Sequence, residues 1–554
     1  MANGTMIEGK SGAEGEVIRE MVFDTYNNGN GAAATSKEYP INEKELPIVN
    51  NNNVINSAKF LITAERLANI ILALGGVVCL LALIYFVYYY AWTRQRQFTS
   101  WAGVLLYYVT PALMTIVFFA SLRLRASPKI NLALLACSAG IGFYAVEVQL
   151  TLWFSLPSVR DNLASRERKQ IAKTLGLEFD GRTKHQLVED LLSRGVDAVP
   201  SIFPRGLLQK RSDGTLKSAI HLNSTEILPL GAPANKLIVV CNEGGRFLTY
   251  RSDEHGFNNP QTLWNHRSID IVALGDSFAQ GWCVAPDKSF VGLIRERYPA
   301  TVNLGEQGNG PLIELASMRE YGQILKPKTV LWFYFENDLQ DLNRERHSPL
   351  LSSYLRKGFS QDLFSRQQEI DRVLIEYIKT SRDKNAVLMK LEEISALVRD
   401  PSQLSTGIDN IVRLGHLRQT LGLVQGQDRT PFSDAQPSSA DNELTRSMAP
   451  LIELFNEILF EAKTSVERWG GRLYFVYLPG WHRYAAGQLG SPDRDAVMHV
   501  VAKLALPIID VHQVFRAQKD PVSFFPLRVN GHYTEEGHRL VAQYVLQHIP
   551  SSSK

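Results

Sequence analysis

The sequence has few cysteines and no excess of charge of either sign. Its 554 residues include four cysteines, too few for a disulfide scaffold, and no C-x-x-C spacing indicates a zinc site. The 59 basic and 56 acidic residues leave a formal net charge of +3, so we expect no nucleic acid partner. Residues 1–57 lack both apolar periodicity and the apolar core of a signal peptide, which predicts a disordered tail.

Three long apolar runs follow this tail, over Leu67–Trp92, Trp101–Leu122 and Ile130–Trp153. The first has no charged side chain in 26 residues, enough to span about 30 Å of hydrocarbon. The runs predict a three-helix membrane anchor over 58–156, with the lipid bilayer as a partner. Glu147 lies inside the third run, where a carboxyl is either functional or bonded to a neighbouring polar or backbone group.

Beyond the apolar runs the chain is polar, and short β-branched runs alternate with helical patterns. This alternation predicts an α/β fold with a parallel sheet covered on both faces. We assign residues 157–265 to a membrane-proximal lead-in subdomain and 266–554 to the sheet domain, with a mostly helical insertion over about 340–446. The predicted strands of the sheet are Ile269–Leu274, Thr301–Leu304, Thr329–Phe335, Leu473–Leu478 and Pro507–Asp510.

Polar residues follow the predicted strands, at the edge where parallel sheets bind ligands. Ser277 follows the first strand, Gly308 the second and Asn337 the third, and His532 precedes the last helix. A serine hydroxyl needs an adjacent base to become a nucleophile, and an imidazole suits that task near neutral pH. The backbone amides of Ser277 and Gly308 and the side chain of Asn337 can stabilise an oxyanion. The set predicts acyl transfer without a metal or cofactor.

These residues carry a resemblance to a known family. Gly275-Asp276-Ser277, the stretch Asn303 to Gly308, Asn337-Asp338 and Gly531-His532 resemble the four motif blocks of the SGNH/GDSL hydrolase superfamily, in the family's order. The resemblance implies a flavodoxin-like three-layer fold with Ser277 as the nucleophile, His532 as the base, and Gly308 and Asn337 as oxyanion donors. Ser252 to Phe257 also resembles a lead-in of membrane-anchored members that are linked to bacterial surface polysaccharides.

Two positions depart from the family pattern. The family's acid usually stands three residues before its histidine, but that position is Val529, followed by Asn530. Either the site is a Ser–His dyad, or another carboxylate such as Asp510 reaches His532, or activity is low. Glu336 stands where the family often has glycine before the asparagine, and we expect it to reshape the oxyanion pocket.

The leading hypothesis is a membrane-anchored serine esterase that removes an acyl group, such as acetyl, from a cell-envelope glycan through an acyl-enzyme. An O-acyltransferase would use the same residues and pass the acyl group to a sugar hydroxyl. A lysophospholipase would act on a lipid ester. The alternative from another class is a non-catalytic envelope-assembly protein with a decayed site.

The side of the membrane on which the catalytic domain lies does not follow from charge. Basic residues near the ends of the three runs divide five against five, and a wider window leans seven to five towards a cytoplasmic C-terminus. We nevertheless expect a multi-pass protein of the bacterial inner membrane with a periplasmic catalytic domain, because the resemblance implies a substrate outside the cell. An oxidising compartment would also permit Cys241 and Cys283 to pair, although two free buried thiols fit the sequence equally well.

Overall fold

The structure is a computed structural model, and it describes residues 51–88, 104–154, 157–383, 411, 414–420, 441–485 and 492–550. The predicted tail therefore lies almost wholly outside the described residues, as does much of the predicted insertion. The chain divides into two compact units. One comprises Met1–Thr151 with Ile408–Arg429, and the other comprises Leu152–Gly407 with Thr430–Lys554.

Two helices of the described chain are long and apolar enough to cross a membrane, Lys59–Val87 and Ala126–Phe154. Most of their large apolar side chains are exposed, Phe60 and Ile141 to more than 70%. A core helix of a soluble protein would bury them. The run predicted over Trp101–Leu122 forms a shorter apolar helix, Tyr107–Ser121. Two of the three predicted spans thus have the required length, and the third remains a prediction.

Glu147 is fully buried, and backbone groups satisfy its carboxylate. Its Oε1 accepts a hydrogen bond from the backbone N–H of His416 at 3.0 Å, and its Oε2 accepts one from Leu417 at 2.7 Å. The His416 ring also lies 3.0 Å from Oε1. Such bonding is the structural alternative that the sequence left open, and it ties a piece of the predicted insertion to the third apolar helix.

The lead-in begins with two helices, Pro157–Thr174 and Lys184–Ser193. A small sheet follows, in which strand β6 (Leu237–Val239) lies between a parallel strand β1 (Ala198–Pro200) and an antiparallel strand β7 (Thr249–Arg251). Two short hairpins and the short helix Pro204–Leu207 lie between β1 and β6. The strands of the lead-in are β1 Ala198–Pro200, β2 Leu208–Lys210, β3 Leu216–Ser218, β4 His221–Leu222, β5 Thr225–Glu226, β6 Leu237–Val239 and β7 Thr249–Arg251.

The main sheet has five parallel strands, which lie side by side in the order β12 (Ile508–Asp510), β11 (Arg472–Leu478), β10 (Thr329–Phe335), β8 (Ile271–Gly275) and β9 (Thr301–Asn303). Counted along the chain this is the order 2-1-3-4-5 of flavodoxin-like doubly wound folds, so the α/β class is as expected. The observed strands match the predicted ones within two residues at each end. They are β8 Ile271–Gly275, β9 Thr301–Asn303, β10 Thr329–Phe335, β11 Arg472–Leu478 and β12 Ile508–Asp510.

Helices cover both faces of this sheet because its strands are apolar on both sides. Along β8, Val272 and Leu274 enter one buried cluster, while Ile271 and Ala273 enter the other. This alternation is the pleat of a strand buried on two faces. The main covering helices are Phe290–Arg297, Pro311–Ser317, Asp338–Glu345, Asp441–Arg468, Pro492–Lys503, Val511–Arg516 and Glu535–His548.

The helical segment from Pro311 to Leu325 is a composite. Its middle turn, Met318–Gly322, has π-helical hydrogen bonding, and the regular helix resumes at Gln323–Leu325. In the described part of the predicted insertion, short helices Pro349–Ser352 and Ser353–Leu355 precede the longer Gln367–Asp383.

A buried aspartate fastens the lead-in to the sheet domain. Asp253 is fully buried, and its carboxylate accepts four hydrogen bonds, two of them from the side chains of Asn259 and Trp264 at 2.7 Å. Asn259 in turn bonds both the N–H and the carbonyl of Asn303 at the end of β9. Burial raises the pKa of Asp253 to about 6, although these hydrogen bonds oppose the shift.

Gly256 lies in the same turn and admits no side chain. Its φ is +89°, and a β-carbon there would lie 1.8 Å from the carbonyl oxygen of Ala232. We predict that Gly256→Ala lowers the free energy of unfolding by about 2–4 kcal/mol, because backbone strain and overpacking add. Gly214→Ala is the matched control, since Gly214 has φ +85° with open space around it, and it should cost about 1 kcal/mol. Denaturant unfolding of the full chain in detergent measures both, and equal losses would contradict the clash.

Candidate active site

The turn after β8 presents Ser277 at the edge where the strand order reverses. Gly275 ends the strand with φ +151°, and a β-carbon there would lie 2.9 Å from the carbonyl oxygen of Phe333 on β10. Asp276 then caps the short helix Ser277–Gln280, since its carboxylate accepts a hydrogen bond from the N–H of Phe278 at 2.8 Å. The serine therefore sits at the first position of a helix, at the mouth of the crevice that doubly wound sheets use for ligands.

Ser277 and His532 lie in direct contact, although 255 residues separate them in the chain. The Ser277 Oγ is 2.7 Å from the His532 Nε2, the distance of a hydrogen bond between a hydroxyl and an imidazole. The imidazole packs at the edge of the Phe278 ring, with the centroids 4.7 Å apart. The serine is almost buried, and the histidine retains some exposure.

The other side of His532 contacts a carboxylate that no motif pointed to. The Oε1 of Glu243 lies 2.9 Å from the His532 Nδ1, and its Oε2 accepts the backbone N–H of His532 at 2.9 Å. An ionised carboxylate can only accept, so Nδ1 carries the proton of the neutral ring and Nε2 is free to accept the serine proton. Ser277, His532 and Glu243 thus form a hydrogen-bonded series with the geometry of a serine hydrolase triad.

Asp510, the alternative acid considered from the sequence, is turned to other partners. Its carboxylate pairs with Arg494 and caps the helix Val511–Arg516 through the N–H of His512. The suggestion that it reaches His532 is therefore wrong. Glu243 was missed because it belongs to the lead-in, 289 residues before the histidine. The only sequence signal for it was its position just after a short apolar strand.

Arg168 holds the acid and the histidine loop together. Its Nη1 lies 3.4 Å from Glu243 Oε1, and its Nη2 donates to the carbonyl of Asn530 at 2.9 Å. The neighbouring Gly531 makes this approach possible, because a β-carbon there would lie 2.8 Å from the Glu243 carboxylate and 3.0 Å from Arg168. Burial would raise the pKa of Glu243, but the charges of His532 and Arg168 outweigh it and hold that pKa at about 2. The acid is therefore ionised at any physiological pH.

A disulfide ties the turn that carries Glu243 to the nucleophile segment. Cys241 is bonded to Cys283, with 5.5 Å between the Cα atoms. Cys241 precedes the acid by two residues, and Cys283 follows the nucleophile by six. The sequence allowed either this bridge or two free thiols, and the structure has the bridge. It restrains the acid and the serine, which lie on segments far apart in the chain.

Two of the three predicted oxyanion donors, Gly308 and Asn337, lie in the turns after the strands on either side of β8; the third is the backbone N–H of Ser277. Gly308 has φ +69°, a backbone conformation that favours glycine. Asn337 lies two residues after the end of β10, and its Nδ2 donates one hydrogen bond to Asp341 Oδ2 at 3.1 Å. An amide nitrogen has two hydrogens, so one remains for a substrate oxygen. Their role as donors remains a proposal.

Glu336 joins the ends of β10 and β11. It accepts a hydrogen bond from the Tyr477 hydroxyl at 2.6 Å, lies 2.8 Å from the His482 Nε2, and pairs with Arg483. These contacts give the unusual residue before Asn337 a structural task. Another histidine near the C-terminus, His538, is fully buried, and its Nδ1 accepts the backbone N–H of Phe290 at 3.1 Å, as a structural residue would. Desolvation lowers its pKa to about 3.

Within the described residues, no group of three or more histidine, cysteine, aspartate or glutamate side chains is arranged to hold a metal ion. No protein-family model matches the sequence. No curated protein matches it either.

Several solved structures resemble part of the chain at low similarity. A lipase/acylhydrolase from Enterococcus faecalis is 12% identical with a TM-score of 0.26, over 52% of this chain and 100% of its own. An acetyl xylan esterase is 11% identical with a TM-score of 0.25, over 51% and 100%. An alpha/beta hydrolase enzyme from the metagenome of Lake Arreo, Spain, is 13% identical with a TM-score of 0.26, over 50% and 95%. Likenesses this weak leave the function to be argued from the site itself.

If Glu243 orients and stabilises His532, Glu243→Gln should lower kcat by roughly 10²–10⁴, because an amide can present the wrong hydrogen-bonding group to Nδ1. Asp510→Asn is the matched control and should keep kcat within about threefold of the wild type, since Asp510 faces Arg494. Steady-state hydrolysis of a p-nitrophenyl ester by the full chain in detergent measures both variants. A greater loss in the Asp510 variant would contradict the assignment of the acid.

Proposed function

We propose that this protein is a membrane-anchored serine esterase that cleaves an acyl ester on a cell-envelope glycan. The observation that carries the proposal is the hydrogen-bonded series from the Ser277 hydroxyl through both ring nitrogens of His532 to the carboxylate of Glu243. Burying the charge of a carboxylate costs free energy. We would therefore not expect a buried carboxylate aligned on a histidine in a site that has lost its catalytic function.

The first half of the reaction forms an acyl-enzyme. His532 Nε2 takes the proton of Ser277 as Oγ attacks the ester carbonyl carbon, and Glu243 stabilises the imidazolium. The carbonyl oxygen becomes an oxyanion, for which the N–H groups of Ser277 and Gly308 and the amide of Asn337 are the proposed donors. The intermediate then collapses, the alcohol oxygen takes the proton from Nε2, and the alcohol leaves.

The second half repeats these steps with water. His532 accepts a proton from the water molecule as its oxygen attacks the acyl carbon of the Ser277 ester. The tetrahedral intermediate then collapses with cleavage of the bond to Ser277 Oγ, His532 returns its proton to that oxygen, and the carboxylic acid is released. A sugar hydroxyl in place of water would make the same site an acyltransferase, so the test must include an acceptor.

Two observations support the proposed substrate class, namely the two long apolar helices and the family resemblance. Exposed apolar side chains along Lys59–Val87 and Ala126–Phe154 suit contact with lipid acyl chains. The helix that carries Arg168 begins at Pro157, three residues after the second of these helices ends. On this basis we propose an acylated surface glycan as the substrate, with acetyl as the simplest acyl group.

Ser277→Ala should abolish ester cleavage and covalent labelling by a fluorophosphonate, because the variant has no nucleophilic oxygen. Ser193→Ala is the control, since that exposed hydroxyl only bonds the carbonyl of Asp190. Acetate release from acetylated glycan is measured with and without a free acceptor sugar. Acyl transfer to the sugar at the expense of acetate would identify a transferase, and turnover by pure Ser277→Ala would exclude this serine as the nucleophile.

We further propose that the catalytic domain faces the periplasm, because the Cys241–Cys283 disulfide needs an oxidising compartment. A reporter enzyme that is active only outside the cytoplasm, fused after Arg160, should therefore be active, while the same reporter placed before residue 57 should be silent. Thiol alkylation in intact cells should find the two cysteines protected. A silent reporter after Arg160 and two reactive thiols would reverse the topology.

A further inference from the structure

Arg205 reaches from the lead-in to Gly308 and to Asp341, the carboxylate that binds Asn337. It lies in the short helix Pro204–Leu207, and its side chain is about one-third exposed. Neither the mechanism above nor the motif blocks assign it a role. Its contacts, however, connect the turn after β9 with the turn after β10.

The aliphatic part of Arg205 covers Gly308. A β-carbon on Gly308 would lie 3.0 Å from the Arg205 Cδ, so a side chain there would fit only if Arg205 shifted. The glycine adopts φ +69° directly beneath this arginine. Arg205 therefore restrains the peptide group whose N–H is a proposed oxyanion donor.

The guanidinium of Arg205 also acts on Asn337, through a shared carboxylate. Its Nη1 donates to Asp341 Oδ1 at 2.6 Å, and Asp341 Oδ2 accepts the Asn337 Nδ2 at 3.1 Å. The Asp341 side chain is 4% exposed, so its charge is poorly screened by water. Without a cation beside it, a carboxylate this close to Asn337 would oppose the negative charge that develops on the substrate.

We propose that Arg205 is a positioning residue for the oxyanion donors Gly308 and Asn337, supplied to the sheet domain by the lead-in. It holds the Gly308 turn by packing, fixes the Asn337 amide through Asp341, and offsets the charge of that carboxylate. This inference rests on the proposed esterase function. It implies that the lead-in completes the site on both sides, with Glu243 beside the histidine and Arg205 beside the oxyanion.

Arg205→Gln should lower kcat roughly tenfold to a hundredfold, while KM changes less than about threefold. This loss is smaller than the roughly 10²–10³-fold loss of kcat expected when an oxyanion donor itself is removed. Arg205→Lys should recover most of the rate, because an ammonium group still pairs with Asp341. Arg194→Gln is the matched control, because that exposed arginine pairs with Asp190 within the lead-in, and kcat of this variant should equal that of the wild type. A loss confined to KM would overturn the proposal and make Arg205 a substrate contact.

A double-mutant cycle with Asn337→Ala tests the coupling. Arg205→Gln should cost less in the Asn337→Ala background than in the wild type, because the amide it positions is gone. Fully multiplicative losses would overturn the proposal. If Arg205→Gln does not fold, the isosteric Asp341→Asn replaces it in the same cycle, and an unchanged kcat in that variant would also overturn the proposal.

The rate of fluorophosphonate labelling separates this proposal from the proposed function, because it requires no knowledge of the substrate. An unlabelled wild type would refute the esterase. A labelled wild type together with Arg205→Gln labelled at the same rate would refute only the role of Arg205. Slow labelling of Arg205→Gln, at an unchanged melting temperature, is the expected result.

Discussion

A histidine is an efficient base for serine when its second ring nitrogen has a fixed acceptor, because that acceptor holds the ring in one orientation and keeps the proton on one nitrogen. In this protein Glu243 is the acceptor for the Nδ1 of His532. Its second carboxylate oxygen accepts the backbone N–H of the same histidine. The rest of the site depends on this contact. The contact depends on the conformations of the loop that carries His532 and of the turn that carries Glu243. It also depends on Gly531, where a side chain would collide with the Glu243 carboxylate.

A buried carboxylate is expensive, and the lead-in supplies what offsets its cost. Arg168 provides the countercharge and also binds the carbonyl of Asn530, so one guanidinium fixes both partners of the contact. The Cys241–Cys283 bridge restrains the same turn against the nucleophile segment. Asp253 and Asn259 fasten the lead-in to the end of β9. The lead-in is accordingly part of the proposed active site, and in the chain it follows directly after the second long apolar helix.

Glu147 illustrates how the same rule operates in the apolar unit. A carboxylate with no partner there would be strongly destabilising, yet it accepts two backbone N–H groups and contacts the His416 ring. These groups belong to a segment that the sequence places inside the insertion of the sheet domain. The carboxylate therefore gives that segment a fixed attachment to the third apolar helix.

The parts of the fold that depend on local patterns could be predicted from the sequence alone. Alternating apolar strands and helices were enough to predict the parallel sheet and its strands, because periodicity and burial act over a few residues. Strand ends bearing Ser277, Gly308 and Asn337 were predictable too, since all parallel strands present their carboxyl ends at one edge. Only the tertiary structure decided which carboxylate completes the triad. Glu243 and Arg205 stand in segments with no motif, and contacts between residues hundreds of positions apart leave no periodic trace in the chain.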